Sequence, residues 1–131
     1  MRVVFDTNIL ISALVFPGGQ GQQALERIIE GTDVLVISKP ILHELLEVLS
    51  RKFSRDREEL SRVAIFLGDL GEMTQPHSTI HELKDEADNR ILECAVAGKA
   101  ENIVTGDRAM LNQEHYRQIK IISLKSYLAG R

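Results

Sequence analysis

Disulfides, membrane spans and strong positive charge are all missing from this chain of 131 residues. Cys94 is the only cysteine, which excludes an internal disulfide and is typical of a protein in a reducing cytoplasm. No apolar run approaches the roughly 18 residues of a membrane-spanning helix, and the first residues carry no signal-peptide pattern. These absences predict a cytoplasmic protein that does not contact a membrane, with Cys94 as a packed thiol.

The net charge of −3 argues against a protein that coats nucleic acid, since such proteins are usually basic. One clear basic run is present, and its members are Arg51, Lys52, Arg55 and Arg57. A solvated helix end explains this run better than a phosphate-binding patch. The charge is compatible with an enzyme whose acids gather in one pocket.

Several common catalytic motifs are also missing. The glycine-rich stretch at 16–23, FPGGQGQQ, has neither the lysine of a P-loop nor the third glycine of a dinucleotide fingerprint. We interpret it as a connection before a helix. His77 and His81 are four residues apart, but no carboxylate at a suitable spacing supports them as metal ligands. No Ser-His-Asp or Cys-His signature stands out.

The chain does contain short apolar runs that alternate with helical patterns. Strands are predicted at 3–5, 34–37, 103–104 and 119–122, with a weaker candidate around Met73. Helices are predicted at 9–14, 22–30, 41–51, 58–70, 86–97 and 123–129. This alternation predicts an α/β fold in which helices cover both faces of a parallel sheet. The length suits a single domain over 1–131.

Two of the predicted strands end on an aspartate. Asp6 follows the first strand, and Asp107 follows the stretch IVTG. Ligands of open parallel sheets bind at the carboxyl ends of the strands, so both carboxylates are expected at the same rim. Each aspartate alone could be a helix N-cap, but the presence of both weakens that explanation.

A third acid, Asp88, is predicted to face inward from the helix at 86–97. The apolar stripe of this helix comprises Ile91, Leu92, Ala95 and Val96. At ~100° per residue, Asp88 lies within roughly 20° of the centre of that stripe. On the opposite side lie Glu86, Arg90 and Glu93. Asp85 is a better N-cap candidate than Asp88, which leaves Asp88 available for a functional role.

A fourth acid, Glu44, lies on the margin of the apolar stripe of the preceding helix, whereas Glu47 points outward. Geometry alone leaves Glu44 equally compatible with a rim residue and a site residue. Four carboxylates on one rim would repel each other unless protons or cations are bound. Oxygen ligands without histidine or thiolate favour a hard cation, Mg²⁺ or Mn²⁺.

Taken in order, these stretches resemble one protein family. FDTNIL near the start, the acid of the second-strand helix, DNRILECA, and IVTGD followed by Leu111 are similar to the PIN-domain family. The closest likeness is to the VapC-like toxins of type II toxin–antitoxin pairs, and it extends over essentially the whole chain. The resemblance implies a three-layer α/β/α, 5′-nuclease-like domain with strand order 3-2-1-4-5.

The resemblance also implies an activity and the residues that carry it. The activity is metal-dependent endoribonuclease cleavage of RNA that leaves 5′-phosphate and 3′-hydroxyl ends, with one or two Mg²⁺ or Mn²⁺ ions. The four acidic positions of the family match Asp6, Glu44, Asp88 and Asp107, and the supporting positions match Asn8, Thr105 and Asp85. Asp6 and Asp107 would be the central ligands. Asp88 would complete the shell or hold a second ion, and Glu44 would position or deprotonate the water.

The expected partners are an RNA substrate, an antitoxin protein and a second copy of the chain in a homodimer. Two alternatives stay open: a nuclease that cuts DNA or particular nucleic-acid structures, and a non-catalytic module whose acidic pocket docks a basic partner. A haloacid-dehalogenase phosphatase is excluded, because it needs an aspartate where Asn8 stands. The acidic pair and the later lysine of a response-regulator receiver are missing too.

Overall fold

Residues 1–130, described by a computed structural model, form a six-stranded sheet and seven helices. The strands are β1 (Arg2–Phe5), β2 (Val34–Ser38), β3 (Glu72–Thr74), β4 (Asn102–Val104), β5 (His115–Tyr116) and β6 (Ile119–Ile122). The helices are α1 (Thr7–Val15), α2 (Gln20–Ile29), α3 (Lys39–Phe53), α4 (Arg57–Leu70), α5 (Glu86–Ala97), α6 (Arg108–Gln113) and α7 (Leu124–Ala129).

The strand order of the sheet is β3-β2-β1-β4-β6-β5, with helices on both sides. Strands β3, β2, β1, β4 and β6 are parallel, which confirms the predicted order 3-2-1-4-5, because the predicted fifth strand is β6. The prediction lacked β5, which pairs antiparallel with β6 through His115 and Tyr116. A strand of two residues without an apolar run gives no periodicity signal.

The middle strands are buried on both faces, as their continuous apolar sequences require. Val3, Val4 and Phe5 of β1 are at most 1% exposed, and β2 and β4 contribute similarly buried side chains to the core. The α5 residue Cys94 is also fully buried, as expected for a packed thiol. The rim residues that follow β1 and β4 are therefore attached to the buried centre of the sheet.

Both sides of α5 are covered, which the apolar stripe of this helix alone does not indicate. Glu93, placed by the periodicity opposite the apolar stripe, is only 8% exposed. The segment between β3 and α5 crosses that side of the helix, where Ile80 N donates to Glu93 Oε2 at 2.8 Å. Arg90 Nη2 donates to the same oxygen at 2.7 Å. Burial of Glu93 thus depends on a long connection that helical periodicity does not detect.

Two of the four residues of the basic run form ion pairs with acids four positions away. Arg51 pairs with Glu47 at 3.3 Å, and Arg55 pairs with Glu59 at 3.2 Å. These i,i+4 contacts fit a solvated helix end, which was the preferred interpretation of the run. None of the helices within residues 1–130 combines the length and apolar character of a membrane span.

Candidate metal-binding active site

The first two acids meet where the neighbouring strands β1 and β4 end. Phe5 and Val104 are register partners, and Asp6 N donates to Val104 O at 2.9 Å. The buried hydroxyl of Thr105 then donates to Asp6 Oδ2 at 2.6 Å. Because Asp107 N donates to the same hydroxyl at 3.0 Å, Thr105 links the two strand ends. The structure therefore brings Asp6 and Asp107 to one rim.

Both aspartates also cap the helices that follow them. Asp6 Oδ1 accepts a hydrogen bond from Asn8 N at 3.3 Å at the start of α1. Asp107 Oδ2 accepts one from Met110 N at 2.9 Å at the start of α6. Capping and a role in a site are thus compatible, because each cap leaves other lone pairs of the carboxylate available.

Asp88 lies in the first turn of α5 and is 8% exposed, whereas Asp85 caps that helix by accepting from Ala87 N at 2.9 Å. Burial and, after it, the negative charges of Asp107, Asp85 and Asp6 together raise the pKa of Asp88 to about 7. Desolvation disfavours the charged form, and nearby carboxylates act in the same direction. Asp88 is therefore electrostatically coupled to the acids of the rim.

Glu44 reaches the same place from α3. Its Oε1 atom accepts a hydrogen bond from the buried Thr7 hydroxyl at 2.8 Å. Sequence reasoning passed over Thr7, although it is the middle residue of the DTN triplet and stands between two selected positions. A threonine at the start of a helix is common enough that its side chain carries no distinctive signal without the fold.

These side chains surround a cavity of about 110 Å³. Its lining comprises Asp6, Thr7, Asn8, Glu44, Val48, Asp85, Ala87, Asp88 and Asp107. All four acids selected from the sequence are in this set, together with Asn8 and Asp85. Thr105 does not line the cavity but bonds to both strand-end aspartates. Carboxylates from four separate parts of the fold thus line one small, polar cavity.

The chemistry of this donor set fits a hard divalent cation. Burial raises the pKa of Asp6, and the negative charge of Asp107 also raises it, although the Thr105 hydrogen bond lowers it. A bound cation would relieve this destabilisation of the charged forms. Among residues 1–130, no group of three or more His, Cys, Asp or Glu side chains is already arranged to hold a metal ion. The set fits Mg²⁺, which keeps several waters and needs only one or two carboxylates directly.

His77 and His81, which the sequence did not support as metal ligands, lie outside this cavity. His81 is exposed and lies 3.7 Å from Glu86, as measured between Nδ1 and Oε2. His77 is exposed as well and lines a different cavity. Neither contributes to the acidic rim.

The family of the chain follows from a match over most of its length. Residues 2–109 match the PIN domain family, and this range contains Asp6, Glu44, Asp88 and Asp107. The chain belongs to the PIN domain family. PIN domains are generally metal-dependent nucleases that bind divalent cations. This PIN domain has a carboxylate at each of the four positions that lie on the rim.

Two similar proteins support the assignment. The protein designated "Uncharacterized protein MJ1680" of Methanocaldococcus jannaschii is 30% identical over 132 aligned positions, which cover 95% of this PIN domain and 84% of that protein. The crystal structure of VapBC2 from Rickettsia felis, bound to a DNA fragment from their promoter, matches with a TM-score of 0.66 and 19% identity. That match covers 94% of this chain and 98% of the other, and at this identity it demonstrates a shared fold.

Proposed function

We propose that this PIN domain is a Mg²⁺- or Mn²⁺-dependent endoribonuclease and the toxin of a type II toxin–antitoxin pair. The observation that carries the proposal is the convergence of four carboxylates from four elements on one cavity of about 110 Å³. Carboxylates crowded in this way favour a bound cation over an empty site. The family of the chain supports a nuclease, and the fold shared with VapBC2 supports a VapC-type protein.

Each acid has a distinct proposed role. A divalent cation, when bound, neutralises charge that develops on the phosphodiester and makes an attacking water more acidic. Asp6 and Asp107 would hold the cation, since Thr105 positions both at the ends of the central strands. Asp88 completes the site or serves a second ion. Glu44, oriented by the Thr7 hydroxyl, positions the water and accepts its proton.

Hydrolysis is then a displacement at phosphorus of the 3′ oxygen by water. The water oxygen forms a bond to phosphorus while the bond from phosphorus to the 3′ oxygen breaks. The water proton passes to Glu44, and the departing 3′ oxygen takes up a proton to become a hydroxyl. The products are a 5′-phosphate and a 3′-hydroxyl end.

The proposal includes two protein partners. An antitoxin would place an arginine among the acids and exclude the cation, since guanidinium binds carboxylates in a bidentate manner. The shared fold with a chain of the VapBC2 structure supports such a partner. Homodimerisation is supported by large apolar side chains on the outer side of α4, where Ile65 is 65% and Phe66 38% exposed. A cytoplasmic location stays a prediction.

The decisive experiment measures cleavage of end-labelled single-stranded RNA by the purified protein with Mg²⁺, with Mn²⁺ and with EDTA. We expect cleavage that requires metal and falls at least about a hundredfold in Asp6→Asn and Glu44→Gln. Glu47→Gln is the matched control, because Glu47 lies on the same helix, is exposed and points away from the cavity.

Assays with DNA and with a basic binding partner distinguish the proposed ribonuclease from the two alternative functions. DNA of the same sequence, cut faster than RNA, would favour a DNA nuclease. Binding of a basic partner without cleavage of any nucleic acid would favour the non-catalytic module. Equal activity of Asp6→Asn and the wild type would contradict the proposed site.

A further inference from the structure

A second cavity opens on the same side of the molecule as the acidic site. It has a volume of about 580 Å³ and lies between the start of α3, the end of β3 and the segment that crosses α5. Strands β2 and β3 are parallel to β1, so their carboxyl ends share its rim. The cavity therefore lies beside the proposed site of cleavage.

The two cavities are joined by the helices that line both. On α3, Pro40 lines the second cavity and Glu44 the acidic one, an axial separation of about 6 Å at ~1.5 Å per residue. On α5, Asp88 lines the acidic cavity and Glu93 the second one, about 7.5 Å apart along the axis. The two side chains point to different sides of this helix, about 140° apart at ~100° per residue, so α5 separates the two cavities laterally and α3 is the helix that presents one face to both. Adjacent units of a single-stranded nucleic acid can span such a separation.

Only one of the two oxygens of the buried Glu93 carboxylate accepts hydrogen bonds within residues 1–130. Both of its hydrogen bonds, from Ile80 N and from Arg90 Nη2, go to Oε2. Within residues 1–130, Oε1 accepts no hydrogen bond, and it is not sealed in the core. A residue that served only to hold the crossing segment would need no more than Oε2. This side chain is 8% exposed, so Oε1 is an acceptor that is held in place and can take a hydrogen bond from a ligand in the cavity.

The other walls of the cavity supply a cation and apolar surface. Lys39 lines the cavity, is exposed and has no ion pair among the described residues. Pro40, Met73 and Pro76 contribute apolar area suited to the face of a planar ring. A thioether next to an aromatic ring is itself a favourable contact.

We propose that this cavity binds an unpaired guanine of the RNA next to the scissile phosphodiester. Guanine presents the N1–H and N2–H donors of its Watson–Crick edge beside the O6 acceptor, which complements Glu93 Oε1 and the Lys39 ammonium. Uracil has a single N3–H donor between two carbonyl oxygens, so it makes one hydrogen bond fewer and brings O2 towards the carboxylate. Adenine has no carbonyl for the lysine. This inference rests on the proposed ribonuclease function and adds its base specificity.

The test compares cleavage of RNA oligonucleotides that are randomised on either side of the cut. We expect wild type to prefer guanine at one position by about tenfold, because guanine offers Glu93 Oε1 one donor more than uracil does. Glu93→Gln and Lys39→Met should each abolish that preference while cleavage at the remaining bases persists. Replacing the preferred guanine by inosine, which lacks the N2 donor, should weaken cleavage by wild type only.

Two controls match the change in charge. Glu82→Gln removes an exposed carboxylate from the crossing segment, and Lys52→Met removes an exposed lysine from the far end of α3. Both should retain the guanine preference. If Glu93→Gln loses thermal stability, Lys39→Met decides the outcome, because Lys39 is exposed. An equal loss of cleavage at all bases, or an unchanged preference in Lys39→Met, would overturn the inference.

Calorimetric binding of GMP and UMP to Asp6→Asn separates this inference from the proposed function. GMP that binds more tightly than UMP, in a manner dependent on Glu93, supports the cavity even if no RNA is cut. RNA cleavage without base preference and without GMP binding leaves the nuclease intact and rejects the guanine site.

Discussion

The hydroxyl of Thr105 shows how much of the rim depends on single side chains. It is fully buried, donates to Asp6 Oδ2 and accepts from Asp107 N, so both strand-end acids take their positions from one atom. A hydrogen bond to a charged group is stronger than a neutral one, and its loss in a buried place leaves the carboxylate oxygen unsatisfied. Thr105 is therefore a positioning residue in the proposed mechanism.

We expect Thr105→Val to reduce kcat/KM for RNA cleavage by about tenfold, because the loss of a buried hydrogen bond costs roughly 1–3 kcal/mol. Valine keeps the shape of threonine, so the far-ultraviolet circular dichroism should be unchanged. Thr105→Ser retains the hydroxyl and should restore most of the activity. Equal defects in the valine and serine variants would show that shape, not the hydroxyl, is what matters.

The raised pKa of Asp88 makes the stability of the metal-free protein depend on pH. The folded protein has a pKa of about 7 at this group, above the value of 3.8 for an unperturbed aspartate. The folded state therefore binds the proton more tightly, and stability is lost as pH rises from about 4 to about 7. Above about pH 7, Asp88 is charged in the folded protein as well, and the whole free-energy cost of burying that charge lowers the stability.

We accordingly expect Asp88→Asn to raise the melting temperature in EDTA by several degrees at about pH 8, since about 1 kcal/mol shifts it by roughly 4 °C in a small domain. The gain should shrink steadily towards about pH 4, where both side chains are neutral. Asp69→Asn, at an exposed position on α4, serves as the control. A gain that does not vary with pH would contradict the assigned cause.

At the scale of elements, α5 is held against the sheet by a close approach at its end. Gly98 caps the helix, and a Cβ at this position would overlap Val36 Cγ1 of β2. The same residue's carbonyl accepts hydrogen bonds from the Arg2 side chain of β1 at 2.9 and 2.7 Å. The glycine thus lets one helix end contact two strands.

Gly98→Ala should lower the free energy of unfolding by about 1–3 kcal/mol, the usual cost of overpacking. Urea denaturation followed by circular dichroism measures this. Gly68→Ala is the matched control, because a Cβ there meets no atom within 4 Å. That second change should stabilise the protein by up to about 1 kcal/mol, since Gly68 lies inside α4. Destabilisation of both variants to the same degree would contradict the packing argument.

The elements also show which parts of the structure can be predicted from the sequence. Long apolar runs such as β1 and β2 and the amphipathic α5 carry their own periodicity, and the sheet order followed from the family resemblance. Burial of Glu93 was not predicted, because the segment that covers it has no periodic pattern. Thr7 was missed because its partner Glu44 comes from a distant helix. Local patterns predict elements, whereas contacts between irregular segments depend on the complete fold.

At the scale of the whole molecule, the acidic cavity concentrates negative charge in a protein whose net charge is already −3. Self-repulsion of this kind destabilises the folded state unless counter-charge is bound. A divalent cation that binds only the folded protein must stabilise it by mass action.

Addition of Mg²⁺ or Mn²⁺ at about a hundred times its dissociation constant should therefore stabilise the protein by about 2.7 kcal/mol, visible as a rise in melting temperature. Asp107→Asn should remove most of this rise, whereas Glu30→Gln, at an exposed acid at the end of α2, should retain it. Stabilisation by Na⁺ at equal ionic strength would indicate general screening and would contradict a specific site.

The contact between Thr105 and Asp6 spans 99 positions of the chain. During synthesis on the ribosome, β1 cannot gain its β4 neighbour until the 99 positions that separate the two residues have been translated. A nascent or truncated chain therefore lacks the assembled pair of strand-end acids. For the proposed ribonuclease, this topology delays activity on RNA at least until β4 has been translated.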